Sequence, residues 1–328
     1  MANLPVTQDE AGSSSTDSED LLYHYTTQHG LLGILKQKCI WATHIRYLND
    51  TSEGNIVSQA VFSEFSARYN ISPLLQMLGM ATEKTAASVE PVDEDALGQG
   101  ATMASWATSQ NVFVSSFSEH GDSLSQWRAY SERSGGYSIG FRPSYLRAIG
   151  QRFLVSRPDR FSQGSDTLQR CIYYDEQEER SLREEIKKLV DSYIEEAAAV
   201  AKLPTEQGIQ GFRTPAALAV KHFLRLGIRS AITKDYGFRE EAEWRLAFLL
   251  QQGSAVHDVE FRPGSSMPIP YLQVPLRLED HSQDLISKVI VGPCPHPSEA
   301  ARSIQILLES AGFRDADVTS SQIPYRNW

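Results

Sequence analysis

The sequence predicts an α+β fold: one domain carrying a helical insertion. Three observations lead there. Segments such as Asn111–Ser118 (NVFVSSFS) and Gly135–Phe141 (GGYSIGF) alternate with the period of a strand. Asp175–Leu203 and Thr214–Lys234 have the apolar spacing of amphipathic helices. The two kinds of segment alternate irregularly, unlike the strand–helix repeat of a doubly wound parallel sheet.

In chain order, residues 1–20 are Ser/Thr/Asp-rich, with five acids and no Lys or Arg, and are predicted to be a disordered acidic tail. The single domain runs from 21 to 328. It opens with a strand over Leu21–Thr26, a short helix over Gly30–Lys36 and a strand over Ile40–Tyr47. Glu53–Leu78 has helical spacing, and Ala81–Ser109, poor in large apolar residues, is expected to be a mobile insert. The strand at 111–118, a helical turn in SLSQWRAYS and the strand at 135–141 follow. The helical insertion spans about 175–235, and EWRLAFLL (Glu243–Leu250) is a buried strand. KVIVGPCPHPSEAARSIQILLESAGF reads as strand, Gly-Pro turn and helix, with Ser298 as N-cap before Glu299. DVTSSQIPYR supplies a last edge strand.

The net charge is −10, but residues 1–20 and 85–97 account for nine of those charges. The remainder is close to neutral and lacks the basic footprint of a non-specific nucleic-acid binder. Cys39, Cys171 and Cys294 are far apart and form no CxxC, which argues for reduced thiols and against a disulfide framework or zinc site. With no apolar run near the roughly 20 residues of a membrane span, and no basic-then-apolar leader, a cytoplasmic location and no membrane partner are expected. P-loop, GxGxxG, HExxH and GxSxG motifs are missing, and the histidines have no metal-ligand spacing, so no metal is expected.

Four polar clusters carry the chemistry. In LLYHYTT, His24 and Thr26 share one strand face and Tyr23 and Tyr25 the other. An imidazole and a hydroxyl together suit a ribose diol or a carboxamide; the ordinary alternative is a core histidine bonded to backbone. In THIRYLNDTSE, a continuing strand puts His44 and Arg46 on one face and Thr43, Ile45 and Tyr47 on the other. Arg46 suits a phosphate and Tyr47 a planar ring, while Asn49 and Asp50 form a turn pair that also suits helix capping. In SSFSEHGDSLSQWRAYS, Ser116 and Ser118 share a face, Trp127 belongs to the core, and Arg128 is either a ligand contact or an internal anchor. In FREEAEWRLAFLL, a strand beginning at Glu241 would align Glu241, Glu243 and Arg245 on one face. Two acids so placed repel each other, which raises one pKa, unless an Arg–Glu pair holds them structurally.

Two resemblances follow from these motifs. LYHYTT, IWATHIRYLND, LSQWRAY, GGYSIGF, FREEAEWRL and VIVGPCPHP together resemble a bacterial family known only as a domain of unknown function. The order His-x-Thr on a first strand, short helix, Tyr-bearing second strand and late Glu-x-Glu also resembles the ADP-ribosyltransferase superfamily. That second resemblance implies a split mixed β-sheet with helical insertions, and NAD as substrate. His24 and Thr26, with Tyr25 between them, would contact NAD, and Tyr47 would stack near the nicotinamide. Glu243 would be the catalytic glutamate, with Glu241 beside it and His24 and Tyr47 completing the catalytic set. Arg46 or Arg128 would bind the pyrophosphate, and Asn49, Ser116 and Ser118 would complete the binding surface. Tyr25 departs from the small residue of the polymerase branch, and the interval from Tyr47 to Ser116 is long. The expected reaction is cleavage of the nicotinamide–ribose bond by a transferase or NAD glycohydrolase, with protein, nucleic acid or water as ADP-ribose acceptor and a toxin or defence role open. The alternatives are a non-catalytic nucleotide sensor and an interaction module.

Overall fold

The computed structural model describes residues 20–48, 55–68, 112–131, 135–157, 166–201, 222, 226–250, 258–276 and 285–326. The expected tail at 1–19 and the insert at 81–109 lie outside them.

Strand β1 (Leu22–Thr26) leads directly into α1 (Gln28–Gln37). The hydroxyl of Thr27 caps this helix by accepting a hydrogen bond from the Gly30 N–H at 3.1 Å. Gly30 is required by proximity: a Cβ there would sit 1.9 Å from Thr26 Oγ1. The helix closes at Lys38 in the left-handed conformation (φ 52°), and β2 (Cys39–His44) follows. Next come α2 (Asn55–Arg68), β3 (Val112–Ser118), α3 (Leu124–Tyr130), β4 (Tyr137–Phe141) and α4 (Pro143–Val155). The chain continues through β5 (Leu168–Arg170), β6 (Ile172–Tyr174), α5 (Glu176–Ala201), β7 (Thr233–Asp235) and β8 (Glu243–Leu249). It ends with β9 (Val259–Arg262), β10 (Ile269–Pro275), β11 (Ile286–Val291), α6 (Pro297–Ala311) and β12 (Asp317–Ser320).

The α+β class is as the sequence implied. Ten strands form one mixed sheet in the order β12-β11-β4-β1-β3-β2-β10-β9, with β8 on β3 and β5 on β8; β6 and β7 pair separately. All pairs within the large sheet are antiparallel except β11–β12. The arrangement around β3 positions the site. One edge of β3 is matched to β8 along its whole length, from Val112↔Leu249 to Ser118↔Glu243. The other edge is shared: β1 takes it only at Tyr23↔Ser118, and β2 only at Thr43↔Val114 and His44↔Phe113. Between those contacts β1 and β2 diverge and leave the backbone of Ser115–Phe117 open on that side.

Alternation assigns the two faces. Leu22, Phe113, Phe117, Leu246 and Phe248 point to one side, where Leu31 and Leu35 of α1, Leu146 and Phe153 of α4, and Ile304 and Leu308 of α6 complete a continuous core. Tyr23, Thr43, Val114, Ser116, Ser118, Glu243 and Arg245 share the opposite face through the registers of β1, β2, β3 and β8. A satellite core joins Val57 and Val61 of α2 to Leu182, Ile186 and Val190 of α5. No helix among the described residues is long and apolar enough to cross a membrane.

Several local expectations are corrected. The second strand stops at His44, and Ile45–Tyr47 form a single 3-10 turn because the His44 ring accepts the Arg46 N–H. The described helix of the insertion ends at 232, and Lys234 lies in a short strand. Glu241 closes a 3-10 turn (Tyr236–Glu241), and Ala242, left-handed at φ 42°, separates it from β8. The C-terminal helix starts at Pro297 after His296, so Ser298 is inside it. Helix α4 and strands β5, β6, β9 and β10 go unread in the sequence: three are short, and Pro270 and Pro275 disguise β10.

Candidate functional site

A cavity of about 370 Å³ opens on the face opposite α1, α4 and α6. Its volume is in the range of small-molecule sites, roughly 300–1,000 Å³. Rings from Tyr23, Tyr25, Trp41, Tyr47, Tyr130 and Phe238 border it, and Lys234, Glu241, Glu243, Arg245 and Arg262 supply its charges.

The strand β8 and the turn before it build the charged part. Glu243 is 4% exposed, Arg245 1% and Lys234 4%. Arg245 Nε donates to Glu243 Oε1 at 2.8 Å, and Lys234 Nζ donates to Glu243 Oε2 at 2.7 Å. Lys234 also reaches Glu241 Oε2 at 2.8 Å, so one ammonium joins both acids. Arg245 extends to the carbonyl of Ala231, which fastens the end of the preceding helix to β8. Burial by itself pushes the Glu243 carboxyl up, but the charges and hydrogen bonds of Arg245 and Lys234 outweigh it and hold the pKa at about 2. The expected mutual repulsion of Glu241 and Glu243 is therefore relieved: Lys234, the residue between them in space, went unread because it was assigned to a helix. A lysine just after Ala231-Ile232 and a few residues before the acids of REEAEW was the available signal, since a buried ammonium needs a carboxylate.

His24 occupies the gap in the sheet. By alternation it stands on the helix-covered face, opposite Ile139 on β4, while Glu243 is on the cavity face. Its ring stays beside β3: Nδ1 lies 2.9 Å from the Ser116 carbonyl oxygen, and the ring centroid is 5.8 Å from that of Phe117 in the helix-side core. Because a carbonyl only accepts, Nδ1 carries the proton. Burial lowers the imidazole pKa, so the ring is neutral and Nε2 is an acceptor. His24 nevertheless borders the cavity, although its side chain is rooted on the face of the sheet opposite to that of Glu243.

The other expected residues divide. Tyr25, Tyr47, Ser116, Ser118 and Glu241 line the cavity. The Tyr25 hydroxyl donates to the His120 carbonyl at 2.7 Å and accepts the Ser123 N–H at 3.0 Å, and its ring packs edge-on to Trp127. Ser118 Oγ donates to the Glu241 carbonyl, tying the turn to β3. Tyr47 is 37% exposed and stands edge-on to His44, whose pKa burial and Arg46 push down to about 4. Thr26, Arg46 and Arg128 are not lining residues: Thr26 faces Gly30, and the Arg128 guanidinium covers the Tyr325 ring at 5.4 Å. Asn49 lies outside the described residues. Trp127 is core as expected, and its Nε1 donates to Asp122, which also accepts from Ser321 Oγ and the Gln322 N–H. Trp41, Phe238 and Arg262 are cavity residues that sequence reasoning missed. Among the described residues no cluster of three or more His, Cys, Asp or Glu could hold a metal ion.

Residues 126–246 match a family model described as "Protein of unknown function (DUF2971)". That segment begins in α3 and ends in β8, so it contains the Lys234–Glu241–Glu243–Arg245 cluster and the LSQWRAY and EEAEWRL motifs in large part. His24 and Tyr47 precede it. No curated protein and no solved structure matches the chain.

Proposed function

We propose that the cavity binds NAD and that the protein cleaves the nicotinamide–ribose bond, as an ADP-ribosyltransferase or an NAD glycohydrolase. The observation that carries this reading is that the Tyr47 ring and an ionised Glu243 line one cavity, which His24, rooted on the opposite face of the sheet, also borders. The divergence of β1 and β2 along β3 supports the split sheet implied by the sequence resemblance.

In this mechanism the C–N bond to ribose breaks and its electron pair leaves with nicotinamide, neutralising the pyridinium. Positive charge develops on the ribose, as in glycoside hydrolysis. Glu243, fixed by Arg245 and Lys234, faces that charge without having to reorganise. With a pKa of about 2 it acts as an anion and not as a proton acceptor. The aromatic border receives the nicotinamide ring, and His24 Nε2 accepts from a ribose hydroxyl or the carboxamide. Water or another nucleophile then bonds to the anomeric carbon and loses its proton to solvent.

Incubation with NAD and chromatographic detection of nicotinamide tests this. Glu243→Gln, checked by thermal melting because it leaves the buried Arg245 facing a neutral amide, is expected to lower turnover by about 10²–10³, the usual effect of removing one electrostatic contact to a transition state. Wild-type-like turnover in that variant removes Glu243 from the chemistry. One observation favours a second reading, a nucleotide sensor without turnover: both Glu243 oxygens are engaged by cations, which offsets much of the charge available to a ligand. NAD binding with no nicotinamide released supports the sensor.

A further inference from the structure

Arg262 ends strand β9 on the cavity face and lines the cavity. Its cationic companions there are both neutralised: Lys234 by Glu241 and Glu243, Arg245 by Glu243. Arg262 forms no ion pair among the described residues, and its Nε is sealed from solvent without a hydrogen-bond partner. The nearest acid along the strand, Glu260, shares its face but is used elsewhere, accepting from the Tyr271 hydroxyl at 2.9 Å and from Gln273 Nε2 at 2.7 Å. A guanidinium N–H withdrawn from water and left unpaired costs free energy on the scale of a lost charged hydrogen bond, and a bound anion would recover it. The lining residues comprise three cations and two carboxylates, with His24 neutral, a surplus of one positive charge before the Glu260 carboxylate just outside the lining is counted.

From these observations we infer that Arg262 is a phosphate-binding residue and that the cavity takes a phosphorylated ligand. This rests on the nucleotide reading above only for the identity of the ligand, and it assigns the role expected of Arg46 or Arg128 to a different residue. The planar fork of an arginine suits two phosphate oxygens at once. Arg262 on β9 and Glu243 on β8 both line the cavity, with β10, β2 and β3 between them in the sheet.

Isothermal titration of the full chain with inorganic pyrophosphate and, separately, with NAD tests the assignment in wild type, Arg262→Gln and Arg262→Lys. The expected result is pyrophosphate binding by wild type, loss of it in Arg262→Gln, and intermediate binding in Arg262→Lys, which keeps the charge without the fork. NAD affinity is expected to fall at least tenfold in Arg262→Gln. If pyrophosphate binding follows Arg262 while NAD does not bind, the anion site stands and the NAD reading fails. If wild type does not bind pyrophosphate, or Arg262→Gln binds it as wild type does, the assignment to Arg262 is overturned whatever NAD does. Thermal melting confirms that each variant is folded, and Arg262→Lys carries the test if Arg262→Gln is not.

Discussion

Replacing Lys234 by methionine keeps the aliphatic stem and removes only the ammonium. Glu241 then loses the partner at 2.8 Å, and Glu243 loses one of its two cations. Removing one member of a buried ion pair costs about 3–5 kcal/mol. Here Arg245 still bonds both Glu243 oxygens, which reduces the loss. The drop of the Glu243 pKa from 4.5 to about 2 corresponds to a net of about 3 kcal/mol, what remains of the attraction of the two cations after the opposing cost of burial. A destabilisation of about 2–3 kcal/mol is therefore expected for Lys234→Met, read from urea titration at neutral pH. The acid dependence gives an independent check. The folded pKa of Glu243 is below its unfolded value, so its contribution is complete above about pH 4.5 and is lost as pH falls towards 2. The stability gap between wild type and Lys234→Met should narrow over that interval. A double-mutant cycle with Glu243→Gln should show a coupling of about 1 kcal/mol or more. A loss below about 0.5 kcal/mol, or a gap that does not change with pH, would refute the idea that Lys234 holds the acids.

The remaining predictions concern the gap in the sheet and the first helix. His24 has a folded pKa below its unfolded one, so stability is retained above about pH 6.5 and declines as pH falls below it; His24→Asn should lack that part of the decline, measured as melting temperature between pH 7.5 and 5. Gly30→Ala would drive a methyl into Thr26 and should cost about 1–3 kcal/mol. Gly33→Ala in the same helix meets nothing within 4 Å and should stabilise by up to about 1 kcal/mol, so equal effects of the two changes in chemical denaturation would contradict the packing described.

The strands that alternate cleanly were legible: NVFVSSFS and EWRLAFLL appear within a residue or two of their predicted limits, and the face assignment of Glu243, Arg245 and Trp244 follows from period two alone. Trp127 was legible from the size and apolarity of its ring alone. Other features depend on contacts distant in sequence. Period two puts His24 and Thr26 together on the helix-covered face, yet His24 also borders the cavity, and nothing local to LLYHYTT encodes that. Lys234 and Arg262 acquire meaning only when β7 approaches β8 and β9 joins the sheet through β10. Arg46 and Arg128 stood beside the right motifs, but a 3-10 turn and the Tyr325 ring redirect them.

The central strand β1 has β4 beside it, and β4 receives its other neighbour only from β11, near the opposite end of the sequence. Such long-separated pairing makes for slow folding. During synthesis the Tyr137–Phe141 edge is uncovered until the ribosome has delivered Ile286–Val291, and in that interval it can recruit a foreign strand. A nascent chain halted before β11 should therefore depend on chaperones, whereas one that has passed it should not.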